Sequence, residues 1–72
     1  MDKIKKIKIR VNGKVHSLND NSKISDIVKK LKIPMKKVAI ELNQEIIDKK
    51  RINKINLKKN DKIEIVHFIG GG

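Results

Sequence analysis

The chain offers few groups that could do chemistry. It contains no cysteine, which excludes a thiolate metal site and a cysteine nucleophile. Its two histidines, His16 and His67, have no Asp, Glu or His partner at metal or triad spacing, so we expect surface or half-buried histidines and no metal site. By elimination, the strongest candidate is the carboxylate of Gly72, which follows Gly70 and Gly71.

The terminal glycines suit a carboxylate that must reach into another molecule. Because glycine has no Cβ and accepts nearly any backbone conformation, we predict a folded domain over residues 1–69 and a flexible glycine tail over residues 70–72. A carboxylate is a poor electrophile, so chemistry on it requires activation. Activation in a closed site favours glycine, since a side chain would block a narrow channel.

Other residues near the terminus allow two interpretations. Asp61 and Glu64 could act as an acid and a base, but a turn position and a solvated strand face explain them better. Phe68 and Ile69 either join the core or form an apolar exit patch. As site residues we predict partner binding by Phe68, Ile69 and Gly70.

The composition indicates one small, β-rich domain. The 72 residues include 14 Ile, 5 Val and 4 Leu, and this excess of β-branched side chains favours sheet over helix. No apolar run approaches the ~18 residues of a membrane span. The N-terminus also lacks the apolar block of a signal peptide. We therefore expect a soluble cytoplasmic protein.

The net charge of +11 raises the question of nucleic-acid binding. Of the 19 basic residues 17 are Lys, which lacks the planar fork that reads phosphates and guanines. One Phe, with no Tyr or Trp, cannot build a stacking platform for bases. Because the lysines are scattered from end to end, we interpret them as a solvated surface and predict no specific nucleic-acid partner.

The elements that must position the tail begin with a strand pair. Apolar and basic residues alternate over residues 4–11, the pattern of a half-buried strand. Asn12-Gly13 predicts a type I′ turn into a return strand over residues 14–18. The simplest register would put Lys14 and His16 on the core face. Since neither suits a core, either the hairpin tip is exposed or the register differs.

A short amphipathic helix follows. Ile24 begins a stripe of apolar residues at i, i+3, i+4 and i+7 that ends at Leu31. We expect Ser22 or Ser25 to cap its start. Pro34 would close it, because the residue before a proline avoids helical geometry.

The remaining segments complete a sheet. Residues 38–47 predict a second strand pair with a turn at Asn43-Gln44, and the charged residues 48–56 predict one helical or 3₁₀ turn. The apolar strand over residues 63–69 is typical of the middle of a sheet. The order predicts an α+β fold, with one helix across one face of a four- or five-stranded mixed sheet and the last strand beside the first.

Three segments also carry a resemblance to a known family. They are the hairpin at residues 11–14, residues 38–47, and residues 61–72 with their Ile-Glu-Ile-Val strand and terminal glycines, and they resemble the ThiS family of ubiquitin-like, β-grasp sulfur carriers. Two turns depart from the family. Asn60-Asp61 stands where Gly-Asp is common and is tolerable, because Asn accepts positive φ. Asn43-Gln44 stands where Asn-Gly is common and indicates a change in turn type.

The resemblance implies a protein cosubstrate that is not itself an enzyme and binds no cofactor. Gly72 would supply the reactive carboxylate and Gly71 the narrow peptide before it. A ThiF-like adenylating enzyme would use ATP to form an acyl-adenylate, and sulfur from a donor such as a cysteine desulfurase would displace the nucleotide. The resulting thiocarboxylate would pass its sulfur to a ThiG-like thiazole synthase in thiamine biosynthesis.

Two alternatives stay open at this point. Within the same class, a MoaD-like carrier for molybdopterin or a carrier for tRNA thiolation would also use a terminal glycine. From a different class, the chain could be a basic β-grasp module that binds RNA. A free Gly72 carboxylate discriminates between the classes, because RNA binding has no use for it.

Overall fold

The computed structural model describes residues 5–68. Ile69 and the predicted glycine tail, residues 70–72, lie outside the described residues, so the predicted domain boundary is not tested. Within residues 5–68 the chain forms five strands, one α-helix and two 3₁₀ turns. In chain order they are β1 (Lys6–Val11), β2 (Lys14–Asn19), α1 (Ile24–Lys30), the first 3₁₀ turn (Met35–Lys37), β3 (Val38–Leu42), β4 (Glu45–Ile46), the second 3₁₀ turn (Lys49–Arg51) and β5 (Lys62–His67).

The strands form one mixed sheet in the order β2-β1-β5-β3-β4. β5 lies in the centre, parallel to β1 and antiparallel to β3. Both hairpins, β1–β2 and β3–β4, are antiparallel and flank it. The predicted mixed sheet and the central position of the last strand beside the first are therefore confirmed.

The core lies on one face of this sheet, where α1 packs. Alternate residues of the strands point into it, and the buried residues of α1 meet them there. Leu31, the last residue of the predicted helical stripe, follows α1 and is 36% exposed. The second 3₁₀ turn confirms the turn predicted within residues 48–56, and Ile52 and Ile55, which follow it, are partly buried against the same core. The largest fully buried side chains are Ile9, Ile24, Ile27, Ile40, Leu57, Ile63 and Val38.

The first hairpin keeps the simplest register. Val11 lies opposite Lys14 and Ile9 lies opposite His16, with Asn12-Gly13 as the turn. Lys14 is exposed and His16 is half-buried. Of the two alternatives that the sequence leaves open, the exposed hairpin tip is therefore correct, and the register is the simplest one.

α1 begins without the serine cap that the sequence predicts. Its N-cap is Lys23, whose backbone N–H donates to Oδ2 of Asp26 at 2.8 Å. The next two N–H groups donate to backbone carbonyls in the segment 52–55, at 2.9 and 3.2 Å. The prediction that Ser22 or Ser25 caps the helix is wrong, because a distant stretch of backbone satisfies these donors.

α1 also ends earlier than the proline predicts. The helix stops at Lys30, and Lys32 takes the left-handed conformation with φ of 53°. The N–H of Ile33 then donates to the carbonyl of Val28 at 3.0 Å, the bond of a Schellman ending. The helix is thus closed by Lys32 and not by Pro34, which follows two residues later.

Both turns that depart from the family have positive φ. Asn60 has φ of 70°, as expected of the non-glycine residue that best tolerates this region. Asn43 and Gln44 have φ of 51° and 72°, the signs that a two-residue type I′ turn requires at both central positions. The expected change in turn type at Asn43-Gln44 is therefore wrong, and Gln44 is held in a conformation that glycine would adopt at lower cost.

Two neighbouring substitutions should change stability in opposite directions. Gln44→Gly relieves the left-handed strain and should stabilise the domain by about 0.5–1 kcal/mol. Asn43→Gly suits the same φ but removes two hydrogen bonds that the side chain makes to Asp61 and Lys62, so it should destabilise by about 1–3 kcal/mol. Urea unfolding measures both. A shift in the same direction for the two variants would contradict this assignment.

Candidate functional site

β5 carries the predicted tail, so its position decides where the tail starts. Strand pairing continues past the end of β5, since the N–H of Phe68 donates to the carbonyl of Lys37 at 2.8 Å. On the β3 side, β5 is paired along its length, from Val38 opposite His67 to Leu42 opposite Ile63. The base of the tail is therefore fixed up to the last described residue.

On its other side, β5 outruns its partner strand. β1 pairs with β5 at only two positions, Arg10 with Lys62 and Val11 with Ile63. Beyond them the side chain of Asn12 takes over: its Oδ1 accepts from the N–H of Ile65 at 2.7 Å and its Nδ2 donates to the carbonyl of Ile65 at 3.3 Å. The amide of Asn12 thus imitates one further residue of β1.

Asn43, in the second hairpin, plays a matching part on the opposite side. Its side-chain Oδ1 accepts from the backbone N–H of Lys62 at 2.9 Å, and its backbone N–H donates to the carbonyl of Lys62 at 2.8 Å. Its Nδ2 donates to Oδ1 of Asp61 at 3.0 Å. We call Asn12 and Asn43 the asparagine clamp, because each forms a hairpin turn with its backbone and binds β5 with its side chain.

Asp61 anchors the start of β5. It is 9% exposed, and its second carboxylate oxygen accepts from the N–H of Lys58 at 2.7 Å. Its backbone carbonyl accepts from the N–H of Arg10 at 2.9 Å. Both carboxylate oxygens of Asp61 are therefore used in structure, while Glu64 lies opposite Glu41 on the sheet. The interpretation as turn chemistry holds, and the acid and base pair gains no support.

Of the predicted site residues, only Phe68 lies within the part of the chain that the structure describes. Phe68 is 55% exposed, which removes it from the core, and Nζ of Lys49 lies 5.4 Å from its ring centroid. Its role in an exit patch stays a prediction. Ile69, Gly70, Gly71 and Gly72 lie outside the described residues, so their assigned roles also stay predictions.

Alternative chemistry finds no support within residues 5–68. His16 is half-buried and His67 is exposed, as predicted. In this part of the chain no group of three or more His, Cys, Asp or Glu side chains could hold a metal ion. Among the same residues, no helix has the length and apolar character needed to cross a membrane.

A mixed sheet with a clamped central strand and one helix across one face defines a ubiquitin-like β-grasp domain. The chain belongs to the ThiS family, whose model matches residues 8–72. It is 42% identical over 65 residues to the sulfur carrier protein ThiS of Bacillus subtilis (strain 168), a match that covers 89% of this chain and 98% of that protein.

A second relative has a different length. The thiazole synthase of Magnetococcus marinus is 33% identical over 66 residues, which cover 92% of this chain but only 20% of that protein. The chain thus spans about a fifth of the length of this thiazole synthase.

Solved structures give the same fold. The crystal structure of the thiamine biosynthesis protein (ThiS) from Geobacter metallireducens superposes with a TM-score of 0.78 at 26% identity, covering 92% of this chain and all of that one. The solution structure of a thiamine biosynthesis protein from the same organism gives a TM-score of 0.70, also at 26% identity, covering 92% of this chain and 88% of that one. The predicted β-grasp fold is confirmed.

Removing one half of the asparagine clamp should loosen β5 locally. Asn12→Gly keeps a residue that suits φ of 49° but deletes the acceptor for the N–H of Ile65. Hydrogen exchange of the Ile65 amide should therefore speed up by about three- to tenfold, the worth of one net hydrogen bond. The control is the Lys62 amide, which Asn43 holds. Unchanged protection of Ile65 would show that the clamp does not bear on this strand.

Proposed function

We propose that the chain is a sulfur carrier protein of thiamine biosynthesis, which holds sulfur as a thiocarboxylate at Gly72. The observation that supports this most is the family match over residues 8–72, because it runs through the glycine tail as well as the domain. The relative that is 42% identical is itself a sulfur carrier. The absence of cysteine adds support, since the chain has no thiol with which to carry sulfur.

The chemistry requires an activated carboxyl group. A carboxylate oxygen of Gly72 attacks the α-phosphate of ATP, pyrophosphate leaves, and an acyl-adenylate forms. Hydrosulfide then attacks the carbonyl carbon and AMP departs, which leaves a thiocarboxylate. Where the donor is a persulfide, its terminal sulfur attacks instead and forms an acyl disulfide, and a thiol must reduce the S–S bond to release the thiocarboxylate. ATP binding and adenylation belong to a ThiF-like enzyme and the sulfur to a donor such as a cysteine desulfurase, so the chain acts as a cosubstrate and binds no cofactor.

The domain's own contribution is positional. β5 is bound on both sides by β3, by β1 and by the asparagine clamp, so the tail starts from a fixed point. Gly70, Gly71 and Gly72 add no side chains that would obstruct a narrow active site. A rigid base followed by a thin peptide lets binding at the domain place the carboxylate, which lowers the entropy lost on activation.

Thiazole synthase is the proposed acceptor of the sulfur. A thiazole synthase chain includes a segment 33% identical to this chain, which places a similar domain next to that activity in one polypeptide. This favours the thiamine pathway over molybdopterin synthesis and tRNA thiolation. Because loading consumes ATP, we also propose a cytoplasmic location.

Sulfur transfer to Gly72 is directly measurable. Incubation with the adenylating enzyme, ATP and a sulfur donor should increase the mass of the chain by the difference between one sulfur and one oxygen. Deleting Gly72, or adding one residue after it, should abolish the gain without changing the unfolding temperature. Adding one residue before Met1 is the matched control and should leave the gain intact. If the C-terminally extended chain still acquires sulfur, the proposal is wrong.

The competing RNA-binding function makes a different prediction. The charge of +11 should give association with any RNA that weakens steeply as salt rises, without preference for sequence or structure. Filter binding or fluorescence anisotropy against several RNAs of equal length measures this. Selective, tight binding of one RNA at physiological salt would favour the RNA-binding module over the carrier.

A further inference from the structure

A small hollow lies beside the start of β5, at the end of the strand that is remote from the tail. Its volume is about 350 Å³, at the lower end of the range for pockets that hold small molecules. The residues that line it are Lys8, Ile9, Arg10, Val15, Asn60 and Lys62. We call it the basic hollow, because three of these six residues are cations.

The three cations come from two neighbouring strands. Arg10 of β1 is directly opposite Lys62 of β5, a position in which Cβ atoms are about 5 Å apart. Lys8 precedes Arg10 by two residues, so both side chains are on the same face of the sheet, about 7 Å apart along β1. Like charges so placed repel one another and destabilise a sheet, and an anion between them would remove that cost.

The charge of the basic hollow is not balanced by its own lining. Within residues 5–68, no acidic side chain lines it. A second hollow, of about 470 Å³, differs in this respect, because Asp26 lines it together with two lysines. Asp61 precedes Lys62 in the chain, but both of its carboxylate oxygens accept hydrogen bonds within the fold. The basic hollow is therefore a concave site of one sign of charge.

The backbone around the basic hollow is held in place. The N–H of Asn60 donates to the carbonyl of Lys8 at 2.8 Å, and the N–H of Arg10 donates to the carbonyl of Asp61 at 2.9 Å. The N–H of Lys62 is bound from the other side by the asparagine clamp. The Cα atoms that carry the three cations thus have fixed positions, so an anion that binds here has only side chains to order.

The side chains of the lining select the kind of anion. The guanidinium of Arg10 is a planar fork that can donate two parallel hydrogen bonds to one phosphate group. A single phosphate group carries at most about two negative charges, which leaves one of the three cations unbalanced. Two phosphate groups joined as a diphosphate would balance all three. The amide of Asn60 adds further N–H donors at the edge of the hollow.

We propose that the basic hollow is a binding site for a diphosphate group, held by Lys8, Arg10 and Lys62. Inorganic pyrophosphate and the phosphates of a nucleotide both supply this chemistry. The site is separate from the tail, because His67 at the other end of β5 is about 17 Å from Lys62. A bound diphosphate connects β1 to β5 where these strands pair at only two positions, so it stabilises the start of the central strand.

Titration with inorganic pyrophosphate, followed by NMR of the backbone amides, tests the site. The amide signals of Arg10, Asn60 and Lys62 should shift and saturate. At a pyrophosphate concentration of ten times the Kd, the unfolding temperature should rise by about 5 to 10 °C. Sodium sulfate at equal ionic strength is the reference for general screening. Shifts that spread over all lysine amides without saturating would overturn the proposal.

The two arginines of the chain provide matched variants. Arg10→Gln should raise the Kd for pyrophosphate by about tenfold or more, the value of one charged hydrogen bond. Arg51→Gln removes the same charge from the second 3₁₀ turn and should change the Kd by less than about twofold. Equal Kd values for the two variants would show that only the net charge matters, and the proposal would be wrong.

Two further measurements exclude simpler explanations of the Arg10→Gln result. Because the substitution also removes a pair of like charges, the variant should be at least as stable as the original chain, so unfolding would not explain weaker binding. Arg10→Lys keeps the charge but loses the fork, and its Kd should lie between those of the original chain and Arg10→Gln. An Arg10→Lys variant that binds as tightly as the original chain would contradict the role assigned to the guanidinium.

Competition experiments identify the source of the diphosphate. A nucleoside diphosphate that binds more tightly than pyrophosphate would indicate a nucleotide, and one that binds less tightly would indicate free pyrophosphate. Either result supports the site. If single-stranded RNA displaces pyrophosphate and binds more tightly than any of these small anions, the basic hollow binds an RNA backbone and the proposal is wrong. Sulfur loading at Gly72 is measured separately, so neither result depends on the other.

Discussion

The structure depends on one constraint: the central strand β5 must be hydrogen-bonded on both sides, although its neighbour β1 ends at Val11, opposite only the second residue of β5. The side chain of Asn12 resolves this by binding Ile65 as a further residue of β1 would. Asn43 and Asp61 secure the beginning of the same strand. Since each such bond contributes about 1 kcal/mol net, their value lies less in total stability than in keeping one strand in one place.

Features set by local pattern or by burial were predictable from the sequence. Alternation over residues 4–11 and the Asn12-Gly13 turn predict the first hairpin, and its simplest register is the observed one. The central position of β5 follows from the apolar character of Ile63 and Ile65. The side of β5 that points away from α1, however, carries Glu64 and the half-exposed Val66. This side stays exposed because α1 covers only the opposite face of the sheet. Strand composition predicts position in the sheet better than it predicts how many faces are buried.

The sequence could not predict features that depend on distant backbone. The start of α1 is satisfied by carbonyls from the segment 52–55, which no local capping pattern reveals. Lys32 and Gln44 adopt positive φ although neither is a residue that favours it. In both positions the surrounding structure imposes the conformation. Asn12 and Asn43 each have one predictable and one unpredictable role. The sequence predicts that they form turns, but it does not predict the hydrogen bonds from their side chains to β5.

The choice between asparagine and glycine follows from these roles. Both residue types tolerate positive φ, and glycine does so at lower cost. At Asn12 and Asn43 glycine would form the turn but would leave the N–H groups of Ile65 and Lys62 without these acceptors, so the hydrogen bonds of the side chain offset its strain. After Phe68 the proposed function reverses the requirement, since a peptide that enters another protein's active site gains nothing from a side chain that binds its own sheet. Two residue types that accept left-handed backbone thus have opposite uses: asparagine binds the strand with its side chain, and in the proposed function glycine would present the carboxylate without a side chain.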